Sequence, residues 1–277
     1  MLNKFIVKKH VESALIEDMS YGDITTDAIC SKNDKMEVFL TSREEGIFCG
    51  EMPFGLVFET LGDVEVEFYL KDGDAISVGQ KIAKISGSAR SVLTGERLAL
   101  NYAQKMSGIS TYTNKFVQKI SGTKAKLADT RKNTPNFRIF EKYAAKVGGA
   151  RLHRFNLSDC VMLKDNHIAL LGGSISQAVK KVRENISHAH KIEVECDTIE
   201  QVKEAVTLGV DIIMLDNMDV SDIKKSIEII ASKAVVEVSG GVNLDTIAKI
   251  AETGVDIIST SAIIAQAPTL DLGFDSL

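Results

Sequence analysis

The chain has 277 residues, with 33 Lys and Arg against 38 Asp and Glu, giving a formal net charge of −5. That length suffices for one large α/β barrel, or for a barrel with a smaller domain. The acidic balance excludes a general nucleic-acid or acidic-membrane surface, which needs an overall basic field, so any anion must be bound locally. The start, MLNKFIVKKHVESALIEDM, mixes charged and apolar residues and lacks the apolar core of a signal peptide, and no later run approaches a membrane span. A soluble cytoplasmic protein is expected. Cys30, Cys49, Cys160 and Cys196 lie far apart with no C-x-x-C spacing, so they read as buried free thiols.

Positions 5 to 17 place Phe5, Ile6, Val11, Ala14 and Leu15 near helical spacing, which predicts an amphipathic helix lying on a core. In KMEVFLTS (35–42), Met36, Val38 and Leu40 share one face of a strand. Residues 63–89 alternate around Asp72-Gly73 and Val78-Gly79, as short strands joined by turns do. Their GDAISVGQKIAKI pattern is similar to lipoyl- or biotin-carrier sandwiches, without a clear equivalent of the modifiable lysine. From about Ser91 to Ile120 the apolar spacing predicts one or two helices.

Beyond this the rhythm becomes β then α. KAKLAD (124–129), CVMLK (160–164), KIEVEC (191–196), DIIMLD (211–216), AVVEVS (234–239) and DIISTS (256–261) are short apolar runs. Helix-like segments such as IEQVKEAVTLG and LDTIAKIAETG separate most of them. This predicts parallel strands covered by helices, in an open doubly wound sheet or a closed barrel. No G-x-G-x-x-G follows a first strand, which argues against a dinucleotide-binding sheet.

Most of these runs end in polar or charged groups. In a parallel barrel all strand C-termini lie at one face, so residues far apart in sequence converge there. Arg131, Lys132, Arg154 and Lys164 then form a basic set suited to a small polyanion. Ser239, Gly240 and Gly241 give a turn whose backbone N–H groups can approach phosphate oxygens. Glu195 and Asp216, one strand apart, could bind Mg²⁺ through water or hold ribose hydroxyls. His188 and His190 sit in a polar segment with no further ligands near, and read as a solvated face.

These residues carry a family likeness. The segments EDMSYGDITT (17–26), GERLALNYAQKMSGIST (95–111), DTRKNTP (129–135), EKYAAKVGGARLHRFNLSD (141–159), KDNH (164–167), EVEC (193–196), GVDIIMLDN (209–217) and EVSGGV (237–242) follow the order found in quinolinate phosphoribosyltransferases, which this chain resembles. The combination of D-T-R-K, H-R, K-D-N-H and M-L-D-N is specific, whereas no single one of them is.

The resemblance implies an α/β fold, with an N-terminal α/β sandwich over residues 1–107, to which 265–277 return, and an open parallel α/β barrel over 108–264. It implies transfer of the phosphoribosyl group from phosphoribosyl pyrophosphate to quinolinate with decarboxylation, in a homodimer whose sites are completed across the interface. Neither nucleic acid nor membrane is an expected partner. By that likeness Arg97 reaches the partner subunit's site, and Arg131, His153, Arg154 and Lys164 hold quinolinate. Lys132, Glu195, Asp216, the Ser239 to Gly241 turn, and Thr260, Ser261 and Ala262 hold phosphoribosyl pyrophosphate and its Mg²⁺, Glu195 and Asp216 being the metal's protein ligands. Lys132, Lys164, Glu195 and Asp216 are the residues expected to act in the chemistry. The alternatives are a related phosphoribosyltransferase using another aromatic acid, and a regulatory protein that binds quinolinate without turnover.

The chain departs from the family pattern in three places. Asn133-Thr134-Pro135-Asn136-Phe137-Arg138 replaces the usual T-T-P-G-L-R, and Leu152 removes a polar amide beside His153. Ser261 stands where the family has glycine, which bears on the phosphate turn.

Overall fold

A computed structural model describes residues 2–276. In chain order the elements are α1 (Lys4–Asp18), α2 (Ile24–Ile29), β1 (Lys35–Ser42), β2 (Gly46–Ile47), α3 (Glu51–Leu61), β3 (Val64–Phe68), β4 (Ala75–Ile76), β5 (Lys81–Ser88) and α4 (Ala89–Lys119). There follow β6 (Lys126–Ala128), α5 (Arg138–Val147), β7 (Val161–Leu163), α6 (Asp165–Ala169), α7 (Ile175–Asn185), β8 (Ile192–Cys196), α8 (Ile199–Thr207), β9 (Ile212–Asp216), α9 (Val220–Ile230), β10 (Val235–Ser239), α10 (Ile247–Ala251), β11 (Ile257–Ser259), α11 (Ala262–Ala265) and β12 (Leu272–Ser276).

Compactness divides the chain into residues 1–113, 134–148 and 267–277, and residues 114–133 and 149–266. By this division α5 falls in the first unit and the last residues of α4 in the second.

The first unit is built on an antiparallel sheet in the order β12-β1-β5-β3. Helix α3 packs Phe54 and Phe58 into an aromatic cluster with Phe68 and Phe274, with Phe54 edge-on to Phe68 at 5.7 Å. Helix α1 starts where the Asn3 side chain accepts the N–H groups of Phe5 and Ile6. Its buried stripe is Val7, Val11 and Leu15, an i, i+4, i+8 row, whereas Phe5 is 84% exposed and Ile6 52%. Val11 and Leu15 of the expected face therefore pack, while Val7 takes the place expected of Phe5 and Ile6. Gly108 lets α4 meet the returning tail, because a Cβ there would lie 1.9 Å from the Pro268 carbonyl oxygen.

His10 of α1 is half-buried, its Nδ1 2.6 Å from the Tyr102 hydroxyl and its ring edge-on to Phe140. Burial lowers its pKa below the ordinary 6.5. The unfolded chain therefore binds a proton below about pH 6.5 that the folded chain refuses, and stability falls as pH falls through that range. Replacing His10 with Phe should remove this part of the acid sensitivity, read as the difference in urea midpoint between pH 7.5 and 5.5 for variant and wild type.

The second unit has one parallel six-stranded sheet in the order β6-β11-β10-β9-β8-β7. Strands β7 to β11 follow in sequence order, and β6, the earliest, pairs with β11, the latest. A sheet that returns to its first strand in this way has wrapped round as a barrel does; a doubly wound sheet instead reverses its order midway. The other edge of β6 meets only a single parallel bridge between Ala128 and Arg151, and among the described residues no ladder joins β6 to β7, so the barrel is open. Each strand matches its predicted apolar run within two residues at either end. No helix among the described residues is long and apolar enough to cross a membrane.

Candidate active site

Alternate residues of a strand share a face, and the inward positions of this sheet carry the polar groups. Met162 on β7 precedes Lys164 at the start of α6; Glu195 lies on β8, Met214 and Asp216 on β9, Ser239 on β10 and Ser259 on β11. Thr130, Arg131 and Lys132 leave the end of β6, and His153 and Arg154 follow the Arg151 bridge. All of them line one cavity of about 310 Å³ at the C-terminal end of the strands.

Cations and carboxylates meet here without cancelling. Lys164 Nζ is ion-paired with Glu195, whose side chain is 14% exposed. Asp216, on the adjacent strand, has a pKa raised by burial and then by the charges of Glu195 and Asp197, against the pull of Lys164 and Lys132. The Glu195 charge thus works against ionisation of Asp216. Arg154 is held by Nη1 donating to the Cys160 carbonyl (3.0 Å) and Nη2 lying 3.5 Å from Met162 Sδ.

A second cavity, of about 320 Å³, shares Thr130, Lys132, Ser239 and Ser259 with the first and is completed by Gly240 to Asn243 and Thr260 to Ala262. Gly240 (φ +88°) and Gly241 (φ +62°) turn the chain in the left-handed region. Ser261 has φ −79° and ψ −15°, open to any residue, so the backbone here does not require the family's glycine. The Thr260 hydroxyl donates to the Val242 carbonyl (3.0 Å) and accepts the Ala262 N–H (3.1 Å), so it braces the turn.

Of the residues expected from sequence, Arg131, Lys132, His153, Arg154, Lys164, Glu195 and Asp216 line the first cavity. Gly240, Gly241, Thr260, Ser261 and Ala262 line the second, and Ser239 lines both. Arg97 is exposed on α4 in the first unit and lines neither. Thr130 and Ser259, at polar strand ends, also line the first cavity; sequence reasoning missed Met162, Met214, and the buried Glu193 and Glu237 beneath them. The last two carried a signal: each stands two residues before a mouth residue, Glu195 and Ser239, on the same strand face.

An open parallel barrel with basic side chains at one mouth, paired carboxylates between them and a glycine turn alongside defines a binder of small polyanions, with room for a phosphate beside a second anion. The chain belongs to the quinolinate phosphoribosyltransferase family: the model of the family's N-terminal domain matches residues 23–107 and that of its C-terminal domain residues 109–275. A probable nicotinate-nucleotide pyrophosphorylase (carboxylating) of Bacillus subtilis (strain 168) is 37% identical over 275 residues, covering 99% of this chain and 94% of the relative. One from Archaeoglobus fulgidus is 40% identical over 260 residues, covering 91% and 97%. Among solved structures, NadC from Streptococcus pyogenes superposes with a TM-score of 0.96 at 38% identity, covering all of this chain and 98% of that one.

Proposed function

We propose that the protein transfers the phosphoribosyl group of phosphoribosyl pyrophosphate to quinolinate, releasing pyrophosphate and carbon dioxide and leaving nicotinate mononucleotide. The observation that carries this reading is the convergence of Arg131, Arg154, Lys164, Glu195 and Asp216 on one cavity, in a chain aligned with the family over nearly its whole length. Arg131, Arg154 and Lys164 grip the two carboxylates, with His153 at the cavity floor, and turn the ring nitrogen toward the anomeric carbon of the ribose. Lys132 and the Ser239 to Gly241 turn, with the 260–262 segment, hold the phosphates.

The bond from the ring nitrogen to the anomeric carbon forms as the bond to pyrophosphate breaks. Glu195 and Asp216 offset the positive charge that develops on the ribose. The quaternised nitrogen then accepts the electron density left when the adjacent carboxylate departs as carbon dioxide, and that carbon takes up a proton. Mg²⁺ would be held by Glu195 and Asp216, directly or through water, and would neutralise the leaving pyrophosphate. Purified protein given quinolinate, phosphoribosyl pyrophosphate and Mg²⁺ should release pyrophosphate and carbon dioxide in equal amounts. No pyrophosphate from quinolinate would overturn this reading, and release from another pyridine acid in a parallel arm would identify the substrate instead.

We also place the protein in the cytoplasm as a homodimer in which Arg97 completes the second copy's site. Arg97→Ala and Lys164→Ala would each be inactive alone. Unfolded together and refolded, they should regain about a quarter of wild-type activity, because half the random dimers are hybrids with one intact site. No recovery, with a dimer shown by light scattering, would place Arg97 in its own subunit's chemistry or outside it.

A further inference from the structure

Glu193 on β8 and Glu237 on β10 lie one layer below the mouth, Glu193 fully buried and Glu237 4% exposed. Both approach one ring: His153 Nε2 is 3.4 Å from Glu193 Oε2 and 3.3 Å from Glu237 Oε1. Among the described residues no group meets hydrogen-bond geometry at either oxygen of Glu193 or at Oε1 of Glu237, so the two approaches to His153 are ion-pair contacts. Two carboxylates so placed cost stability, since an apolar pair would avoid their desolvation. Packing alone does not account for them.

The segment that carries His153 needs such anchors. Between the Arg151 bridge and β7 there is neither strand nor helix. The His153 N–H donates to Oδ1 of the buried Asp129 (2.8 Å). The Arg154 N–H approaches His153 Nδ1 to 2.6 Å, the contact of a neutral ring whose proton sits on Nε2. The electrostatics pull toward the charged ring: burial would lower its pKa, but hydrogen bonding to Glu193 and Glu237 and their charges push it up to about 10. A proton on Nε2 is common to both forms, and it faces the carboxylates.

We propose that Glu193 and Glu237 are positioning residues that hold the Nε2–H edge of His153 toward the barrel interior and thereby fix where His153 and Arg154 meet the carboxylates of quinolinate. This rests on the reaction proposed above. The pair acts through His153 and touches no substrate atom.

Glu193→Gln and Glu237→Gln keep shape and remove charge. Each is expected to raise the quinolinate KM about tenfold or more, as loss of a supporting partner does, with the phosphoribosyl pyrophosphate KM unchanged and a melting temperature no lower than wild type. In a His153→Ala background the same changes should add nothing to the loss of quinolinate affinity read by calorimetry. In the wild-type protein, ¹⁵N-histidine NMR should show His153 protonated at Nε2, a readout that does not depend on any variant folding. Unchanged quinolinate KM in both Gln variants, full additivity with His153→Ala, an unprotonated Nε2, or a stoichiometric divalent ion bound by the purified protein and lost on Glu193→Gln would each overturn the proposal. A wild-type protein that releases no pyrophosphate would instead remove the reaction itself.

Discussion

Arg131→Ala is expected to weaken quinolinate binding by about 2–5 kcal/mol, roughly 30-fold to several-thousand-fold, as loss of one partner of a desolvated charge pair does. Arg131 leaves β6 two residues after the buried Asp129, so its backbone is tied to the barrel end. It lines the cavity beside Arg154 and Lys164, and its removal leaves a carboxylate facing fewer donors in a confined site. Arg131→Lys should recover only part of the loss, because an ammonium cannot engage both carboxylate oxygens as a guanidinium fork does. Calorimetric titration with quinolinate reads both variants; phosphoribosyl pyrophosphate affinity should stay near wild type, since Arg131 does not line the second cavity, proposed above to hold the phosphates.

Gly240→Ala should have a comparable effect on the other substrate. An added Cβ would lie 2.2 Å from Asn217 Oδ1 and 2.8 Å from the Asn217 nitrogen, and φ of +88° is already unfavourable to a side chain. The left-handed conformation alone costs roughly 1–2 kcal/mol. Asn217 has little freedom to yield: its N–H donates to the Ser239 carbonyl (3.1 Å), its side chain to Asp216 Oδ2 (2.7 Å), and its own φ is +55°. The displacement would pass to Asp216 as well as to the turn. The phosphoribosyl pyrophosphate KM should therefore rise on the order of a hundredfold, with quinolinate binding within a few-fold of wild type. Gly241→Ala, where no atom lies within 4 Å of the added carbon, should cost only the backbone penalty. Equal effects from the two variants would show that φ rather than crowding dominates.

The barrel's strands were legible because each is a short apolar run bounded by polar residues, and the mouth was legible because those boundaries carry charged and polar groups. Lys164, Asp216 and Ser239 end three runs, Glu195 stands next to last in a fourth, and all four line one cavity. Closure was not legible from periodicity: it depends on β6 pairing with β11, far away in the chain, and no local pattern records that partner. The start of the α1 face was misjudged because Phe5 and Ile6 are apolar, yet Val7 is the residue that packs there, with Val11 and Leu15 as expected. Glu193 and Glu237 escaped notice for the converse reason: one acidic letter in an apolar strand reads as a solvated position, whereas both are inside. The limit at 107/108 lies inside α4, a single helix from Ala89 to Lys119, and it falls where the two family models meet, at 107 and 109.

Strand β12 seals one side of β1 by antiparallel pairing from Leu272 opposite Ser42 to Ser276 opposite Val38. On the ribosome, then, the opening sheet waits for nearly the whole barrel to be made before its border is covered. Until that moment β1 offers a bare row of amides and carbonyls to any neighbouring chain. A nascent protein stalled short of residue 272 would carry a competent barrel and an adhesive sheet, so its solubility would fail before its barrel did.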